Sequence, residues 1–272
     1  MNESIFKTSD GCDISYTVHS ASDSNLPRII LIHSLALDAS IWDGVVTRLK
    51  GKAQILTYDC RGHGRSGRVG GPFTTDLFAR DLAELLDHLG WATVIVAGCS
   101  MGGCVAQAFA GLYPSRVTAL ELIDTTAYYG ADAPKVWRER AANARSKGLA
   151  GLIDFQVTRW FTDKFPAAHP ELVSAATRVF LANDIECYAA SCVMLGDADL
   201  RPYLPSLRIP VAILVGEEDY ATPVVMAQYL HESIRDSTLT ILPGRHLTGI
   251  ECPDQIASEL LALIQRARAA HA

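Results

Sequence analysis

The chain has no apolar stretch approaching the roughly 20 residues that a membrane-crossing helix needs, although 49% of its 272 residues are hydrophobic. Membrane insertion is therefore not expected, and that apolar content is enough for one large α/β core with an insertion. Positive charge is also in deficit. Against 30 Asp and Glu there are 24 Lys and Arg, a formal net charge of −6, which argues against nucleic acid as the main partner. The opening run Met1-Asn2-Glu3-Ser4-Ile5-Phe6 has neither a basic region nor a long apolar core, so it does not read as a secretory signal. The 7 cysteines are odd in number and scattered without metal spacing. They predict reduced, buried thiols in a cytoplasmic protein and no metal site. Internal repeats and low-complexity segments are missing too, and no coiled coil reports on the oligomeric state.

What is present is an alternation of short apolar runs and helical periods. Residues 6–8 and 13–18 read as a strand pair joined by the Asp10-Gly11 turn. Residues 28–32 form a continuous apolar run suited to a central parallel strand, and 54–58 form the next strand. Residues 73–89 have helical spacing, with Leu77, Leu82, Leu85, Leu86 and Leu89 on one side. A strand at 93–97, a helix at 101–113 and a strand at 117–123 follow. The alternation stops near Asp124. From 125 to 204 the chain is mostly helical, with Trp137, Trp160, Phe161 and Phe180 set among charged residues. Strand and helix resume at 211–215, 223–233, 238–242 and 253–270. The predicted architecture is α/β: a doubly wound, mostly parallel eight-stranded sheet formed by residues 1–124 and 205–272, with 125–204 inserted as a helical cap.

Gly98-Cys99-Ser100-Met101-Gly102 lies between the strand at 93–97 and the Ala-rich helix that follows. A serine on so sharp a turn presents its hydroxyl at the top of the sheet, where helix N–H groups face a developing oxyanion. Serine at its free pKa is a weak nucleophile and needs a base, and the base needs an orienting acid. In a doubly wound sheet these belong beyond the carboxyl ends of later strands. Asp219, in the loop after 211–215, and His246, after the last strand, satisfy that condition in the chain order Ser, Asp, His. Glu217 and Glu218 beside Asp219, and Asp124 at the end of another strand, remain alternatives for the acid. The two oxyanion donors are expected to be the backbone N–H groups of Met101 and Leu35.

Other polar residues receive structural readings. His33 and His63 are expected to make structural hydrogen bonds, Ser34 and Ser66 to be turn residues, and His88 to be solvated. Asp59 and Arg61 are expected to pin their loop through a local ion pair. Residues 135–147 carry five basic residues against Glu139. Trp137, Arg140, Ala141 and Ala144 recur at three- and four-residue steps, so Arg140 shares a face with Trp137, while Arg138 and Arg145 fall elsewhere. If the Trp137 face lines the pocket, Arg140 is placed to take a substrate carboxylate in bidentate fashion. Arg159, beside Trp160, is the second candidate.

Together these residues resemble the α/β-hydrolase superfamily over nearly the whole chain, including Asp59-Cys60-Arg61-Gly62-His63-Gly64-Arg65-Ser66, which is similar to that family's D-x-R-G-H-G-x-S loop. A narrower likeness to 3-oxoadipate enol-lactonases of the β-ketoadipate pathway rests on several further runs. They are His33-Ser34-Leu35, Trp42-Asp43, Ser100-Met101-Gly102-Gly103, Arg159-Trp160-Phe161-Thr162, Ala168-His169-Pro170-Glu171-Leu172-Val173 and Gly196-Asp197-Ala198-Asp199-Leu200-Arg201. Cys99, Cys60 and Leu247-Thr248-Gly249 depart from the usual pattern without removing a reactive group. The resemblance implies hydrolysis of a small carboxylate-bearing ester or lactone, without cofactor or metal. Carboxylesterases and carbon–carbon bond hydrolases of aromatic degradation use the same parts. So, in slow form, do ligand receptors on this fold such as the plant butenolide receptors, whose serine run and cap do not resemble those here.

Overall fold

The computed structural model describes residues 3–19, 23, 25–69 and 71–270. Met1 and Asn2, where the amino-terminal reading began, lie outside the described residues. Strands β1 (Glu3–Lys7) and β2 (Asp13–His19) form an antiparallel hairpin across the expected turn, where Gly11 takes φ 88°. The chain continues through β3 (Arg28–Ile32), α1 (Asp43–Leu49), β4 (Gln54–Tyr58), α2 (Thr75–His88), β5 (Val94–Cys99), α3 (Met101–Leu112) and β6 (Val117–Ile123). The helical insertion follows: α4 (Ala133–Lys147), α5 (Ile153–Trp160), α6 (Phe165–Ala168), α7 (Pro170–Leu181) and α8 (Ile185–Asp197). The sheet resumes with β7 (Val211–Gly216), α9 (Val224–Ser233) and β8 (Thr238–Leu242), and the chain closes on α10 (Thr248–Glu251) and α11 (Pro253–Ala270).

The eight strands lie in the order β1-β2-β4-β3-β5-β6-β7-β8, antiparallel at the β1 end and parallel from β4 onward. This is the expected sheet. Helices α3 and α11 both pack on β6, and α1 packs on α11 while α2 packs on α3. β1 starts at Glu3 rather than residue 6 because it is an edge strand, exposed at every second residue, with no apolar run to signal it. Strand order reverses between β3 and β5, since β4 lies on one side of β3 and β5 on the other. In open α/β sheets that reversal leaves a crevice beyond the carboxyl ends of the two strands. Leu35 follows β3 there and Ser100 follows β5.

The expected ion pair between Asp59 and Arg61 does not form. Arg61 is buried and turns instead to α2, where Nε and Nη2 donate to the two oxygens of Asp81 at 2.6 and 2.5 Å, and Nη1 meets Asp10 at 3.0 Å. The Arg61 hydrogen bond holds the Asp10 carboxyl down at about 2. Asp59 serves the backbone, accepting from the N–H groups of Ala39 and Arg65 at 2.9 Å each. Each side chain is taken up by a partner distant in the chain, Arg61 by Asp81 of α2 and Asp59 by the loop N–H groups of Ala39 and Arg65.

One feature of the core had no sequence signal. Glu121, in the middle of β6, is fully buried, flanked across the sheet by Ala97 and Ala212, and neither carboxyl oxygen has a hydrogen-bond partner among the described residues. Burial, and then the charge of Glu259, push its pKa well above the ordinary glutamate value. A carboxyl whose folded-state pKa is raised favours folding fully only below its unfolded value and loses that contribution as the pH climbs. Glu121→Gln keeps shape and removes the ionisable group. We expect it to stabilise the protein by about 1–2 kcal/mol at pH 8, with the gap closing as the pH falls toward about 4. Thermal unfolding across that range reads the effect; equal stabilisation at both ends would refute it.

Candidate active site

The serine turn is imposed by close backbone packing. Ser100 takes φ 55° and ψ −115°, a strained conformation for a residue with a side chain. Its N–H donates to the Ile123 carbonyl at 2.9 Å, and its carbonyl accepts from Thr125 Oγ1 at 2.7 Å, clamping the turn to the end of β6. The glycines on either side allow that clamp. A Cβ on Gly98 would lie 2.2 Å from the Gly102 carbonyl oxygen, and one on Gly102 would lie 2.2 Å from the Ile32 carbonyl oxygen. Turn, helix and β3 therefore pack backbone on backbone.

The loops after β7 and β8 are joined to each other. Glu217 N–H donates to the Leu242 carbonyl at 2.8 Å and Glu218 N–H to the Gly244 carbonyl at 3.1 Å. Asp219 Oδ1 accepts from the N–H groups of Ala221 and Thr222 at 2.7 and 3.0 Å, while Oδ2 accepts from Thr222 Oγ1 at 2.8 Å. The same Oδ2 stands 2.8 Å from His246 Nδ1, and His246 Nε2 stands 2.9 Å from Ser100 Oγ. A carboxylate only accepts, so Nδ1 carries the ring proton and Nε2 presents its lone pair to the serine hydroxyl. Asp124, the alternative acid, points elsewhere. Its Oδ1 accepts from Gly216 N–H at 3.0 Å and its Oδ2 from the N–H and Oγ1 of Thr248 at 3.0 and 2.7 Å. It ties the start of the Asp219 loop to the turn after His246. Glu218 is drawn to Arg245 at 2.7 Å.

Opposite Ser100 lies the loop after β3. His33 Nε2 accepts from Cys60 N–H at 2.8 Å, so Nδ1 carries the proton and donates to the Ser34 carbonyl at 2.8 Å. This fixes the segment that presents Leu35. His63, 5.2 Å from the His33 ring, donates from Nδ1 to the Arg61 carbonyl at 3.0 Å, and burial, then His33, bring its pKa down to about 3. Both histidines are thus structural, as expected. Met101 is the first residue of α3, so its N–H has no acceptor within the helix.

A cavity of only about 20 Å³ lies above the serine, lined in part by Leu35, Ser100, Trp160, Thr222 and His246. A second cavity of about 510 Å³ opens outward between α4, α5 and the loop after β7. Tyr129, Trp137, Arg140, Gln156 and Arg159 line both and so form the partition between them.

A family model described as "alpha/beta hydrolase fold" matches residues 27–253. The chain belongs to the α/β-hydrolase family. It is similar to "3-oxoadipate enol-lactonase 2" of Acinetobacter baylyi, at 32% identity over 93% of this chain and 94% of that one. The crystal structure of the enol-lactonase from Burkholderia xenovorans superposes with a TM-score of 0.92 at 30% identity, over 96% of this chain and 100% of that chain. A thermophilic esterase from Thermogutta terrifontis, solved with malate bound, has a TM-score of 0.90 at 25% identity over 98% and 99%. The protein is an enzyme of the enol-lactonase-like hydrolase class.

In this hydrolase the arginines of the helical insertion divide as their spacing suggested. Arg138 and Arg145 form exposed pairs with Asp197 and Glu186 at 2.8 and 2.7 Å. Arg140 lies over the Trp137 ring, 5.1 Å from its centroid, with Nε on Tyr188 Oη at 2.8 Å and Nη2 on Gln156 Oε1 at 3.1 Å. Trp160 lines the inner cavity, and its carbonyl accepts from the N–H groups of His246 and Leu247 at 3.1 Å each, fastening α5 to the histidine loop. Tyr129, Gln156, Tyr188 and Thr222 were not anticipated. Gln156 had a usable signal, since it stands three residues before Arg159 on one helix face. Tyr188 had none, because only folding brings α8 against α4.

Proposed function

We propose that Ser100 is the nucleophile, His246 the general base and Asp219 the acid that orients it, in the hydrolysis of a small carboxylate-bearing lactone or ester. The favoured substrate is 3-oxoadipate enol-lactone. The observation that carries this reading is the unbroken run of hydrogen bonds from Asp219 through His246 to Ser100, opening beneath two arginines that have no acidic partner among the described residues. His246 Nε2 takes the hydroxyl proton as Ser100 Oγ attacks the lactone carbonyl, and the N–H groups of Leu35 and Met101 receive the oxyanion. Collapse breaks the ring C–O bond. The proton held on His246 passes to the departing oxygen, leaving an enol that stays tethered through the acyl-enzyme and a neutral imidazole ready for the second step. Water activated through His246 then releases the product and returns the proton to Ser100. The residues need no metal or organic cofactor for these steps.

Residues 125–204 act in this reading as a cap over the core formed by 1–124 and 205–272. Trp137, Arg140, Arg159 and Trp160 are its substrate-binding residues. Burial and then the Arg140 charge lower the Arg159 pKa, the mark of two cations held close. An anionic substrate group relieves that repulsion. The similarity to enol-lactonases and to the malate-bound esterase supports a small acidic ligand. All 7 cysteines are unpaired and buried, which supports residence in a reducing compartment, the cytoplasm.

The test is a side-by-side assay of the enol-lactone, a diketone ring-cleavage product and p-nitrophenyl acetate. Arg140→Ala and Arg159→Ala should each lower kcat/KM for the enol-lactone by about 30- to 1000-fold while the acetate ester changes by less than about threefold. Equal losses on both substrates would remove the carboxylate assignment. The esterase neighbour favours a carboxylesterase as the second reading, and a preference for neutral esters would select it. Turnover far below about one per second on every ester and lactone would point to a sensing role.

A further inference from the structure

Three surface arginines of the helical insertion are partnered differently from the two at the partition between the cavities. At its surface, Arg138, Arg145 and Arg201 meet Asp197, Glu186 and Asp199 at 2.8, 2.7 and 2.6 Å. At the partition between the cavities, Arg140 meets only neutral acceptors, the Tyr188 hydroxyl and the Gln156 amide oxygen. Burial pushes the Tyr188 phenol up to about 12, so it stays uncharged. Arg159 lies against the Phe155 ring, 6.0 Å from its centroid. Among the described residues neither arginine forms a salt bridge with a carboxylate; Asp132 and Glu139 line only the outer cavity. Arginine has no acceptor atom, so the Gln156 oxygen must face Arg140 and its amide nitrogen must point away. Gln156 is 2% exposed and lines both cavities.

We infer that Gln156 is a specificity-determining residue: it holds the Arg140 guanidinium in place through a neutral oxygen, leaving the full positive charge for the acidic group of the substrate. This rests on the carboxylate-binding reading above. A glutamate there would keep the same oxygen and the same hydrogen bond but pair the cation internally. A buried guanidinium already paired with a carboxylate offers an incoming anion little net attraction. Neutrality at position 156, not only the presence of Arg140, sets which esters are accepted.

The test compares two chromogenic esters of one chain length, mono-p-nitrophenyl adipate, which ends in a carboxylate, and p-nitrophenyl hexanoate, which ends in a methyl group. The readout is the ratio of their kcat/KM values. Gln156→Glu should lower the ratio by about 100-fold and weaken inhibition by free adipate to the same extent. Gln156→Ala removes a hydrogen bond but adds no charge and should lower the ratio by less than about tenfold. If Gln156→Glu is poorly folded, Gln156→Asp carries the charge on a shorter arm and is read the same way. A ratio in the acidic variants within about threefold of wild type, or an equal collapse in Gln156→Ala, overturns the inference. A wild-type enzyme with no preference for the adipate ester overturns the carboxylate reading as well, a result distinct from a failure confined to position 156.

Discussion

Ser100→Ala should lower kcat by about 10⁴- to 10⁶-fold on both the enol-lactone and p-nitrophenyl acetate, with KM nearly unchanged. The size follows from the geometry. The hydroxyl is 2.9 Å from His246 Nε2, and the imidazole is held by Asp219 at 2.8 Å, so in the proposed mechanism the three groups act as a unit. On the proposed mechanism, removing the hydroxyl leaves only the oxyanion-binding N–H groups and the fit of the substrate, which retain a modest acceleration over water. KM should hold because the hydroxyl contributes little to ground-state binding. His246→Ala should fall as far, and Asp219→Asn by about 10⁴-fold, since the amide no longer enforces the tautomer. Retention of more than about a tenth of the wild-type rate in Ser100→Ala would end the nucleophile assignment.

The second large effect concerns stability. Gly102→Ala should cost about 3–5 kcal/mol, lowering the melting temperature by about 10 °C for a chain of this size. The added methyl carbon would sit 2.2 Å from the Ile32 carbonyl oxygen and 2.7 Å from that of His33. These are backbone atoms of β3 and of the loop presenting Leu35, so they have no rotamer into which to retreat. Relief requires separating α3 from β3, which also moves the Leu35 N–H away from Ser100. Stability and kcat should therefore fall together. Gly11→Ala is the control. Its position is open to solvent, with nothing within 4 Å, and only φ 88° opposes a side chain, a cost of about 1 kcal/mol. Equal destabilisation at the two positions would show that close packing is not the cause.

Both predictions trace to features written in the sequence in different degrees. The strands were legible from short runs rich in apolar residues, continuous at 28–32: β3, β4 and β6 fall at 28–32, 54–58 and 117–123 as expected. Glycine on both sides of Ser100 was legible because a turn that tight admits nothing larger. Asp219 and His246 were legible from their order after later strands. Other features depend on which side chains fold against each other. Asp59 and Arg61 are neighbours in the chain, yet Arg61 finds Asp81 across to α2 and Asp59 caps loop N–H groups. Glu121 gave no signal, because its lack of a partner is a property of what packs around it.

The amino-acid order by itself determined the sheet, the serine turn and the succession of serine, aspartate and histidine, since each follows from local periodicity or from the backbone conformation a short run permits. Which acid meets His246 was decided only by tertiary structure, through the loop pairing that turns Asp219 toward the imidazole while Asp124 is taken up by Gly216 and Thr248. So was the environment of the inner arginines. Helical spacing placed Arg140 on the Trp137 face, but only the docking of α5 and α8 against α4 gives it Gln156 and Tyr188 in place of an acid. Charge pairing acts over a few ångströms in space, and separation along the chain does not encode that distance.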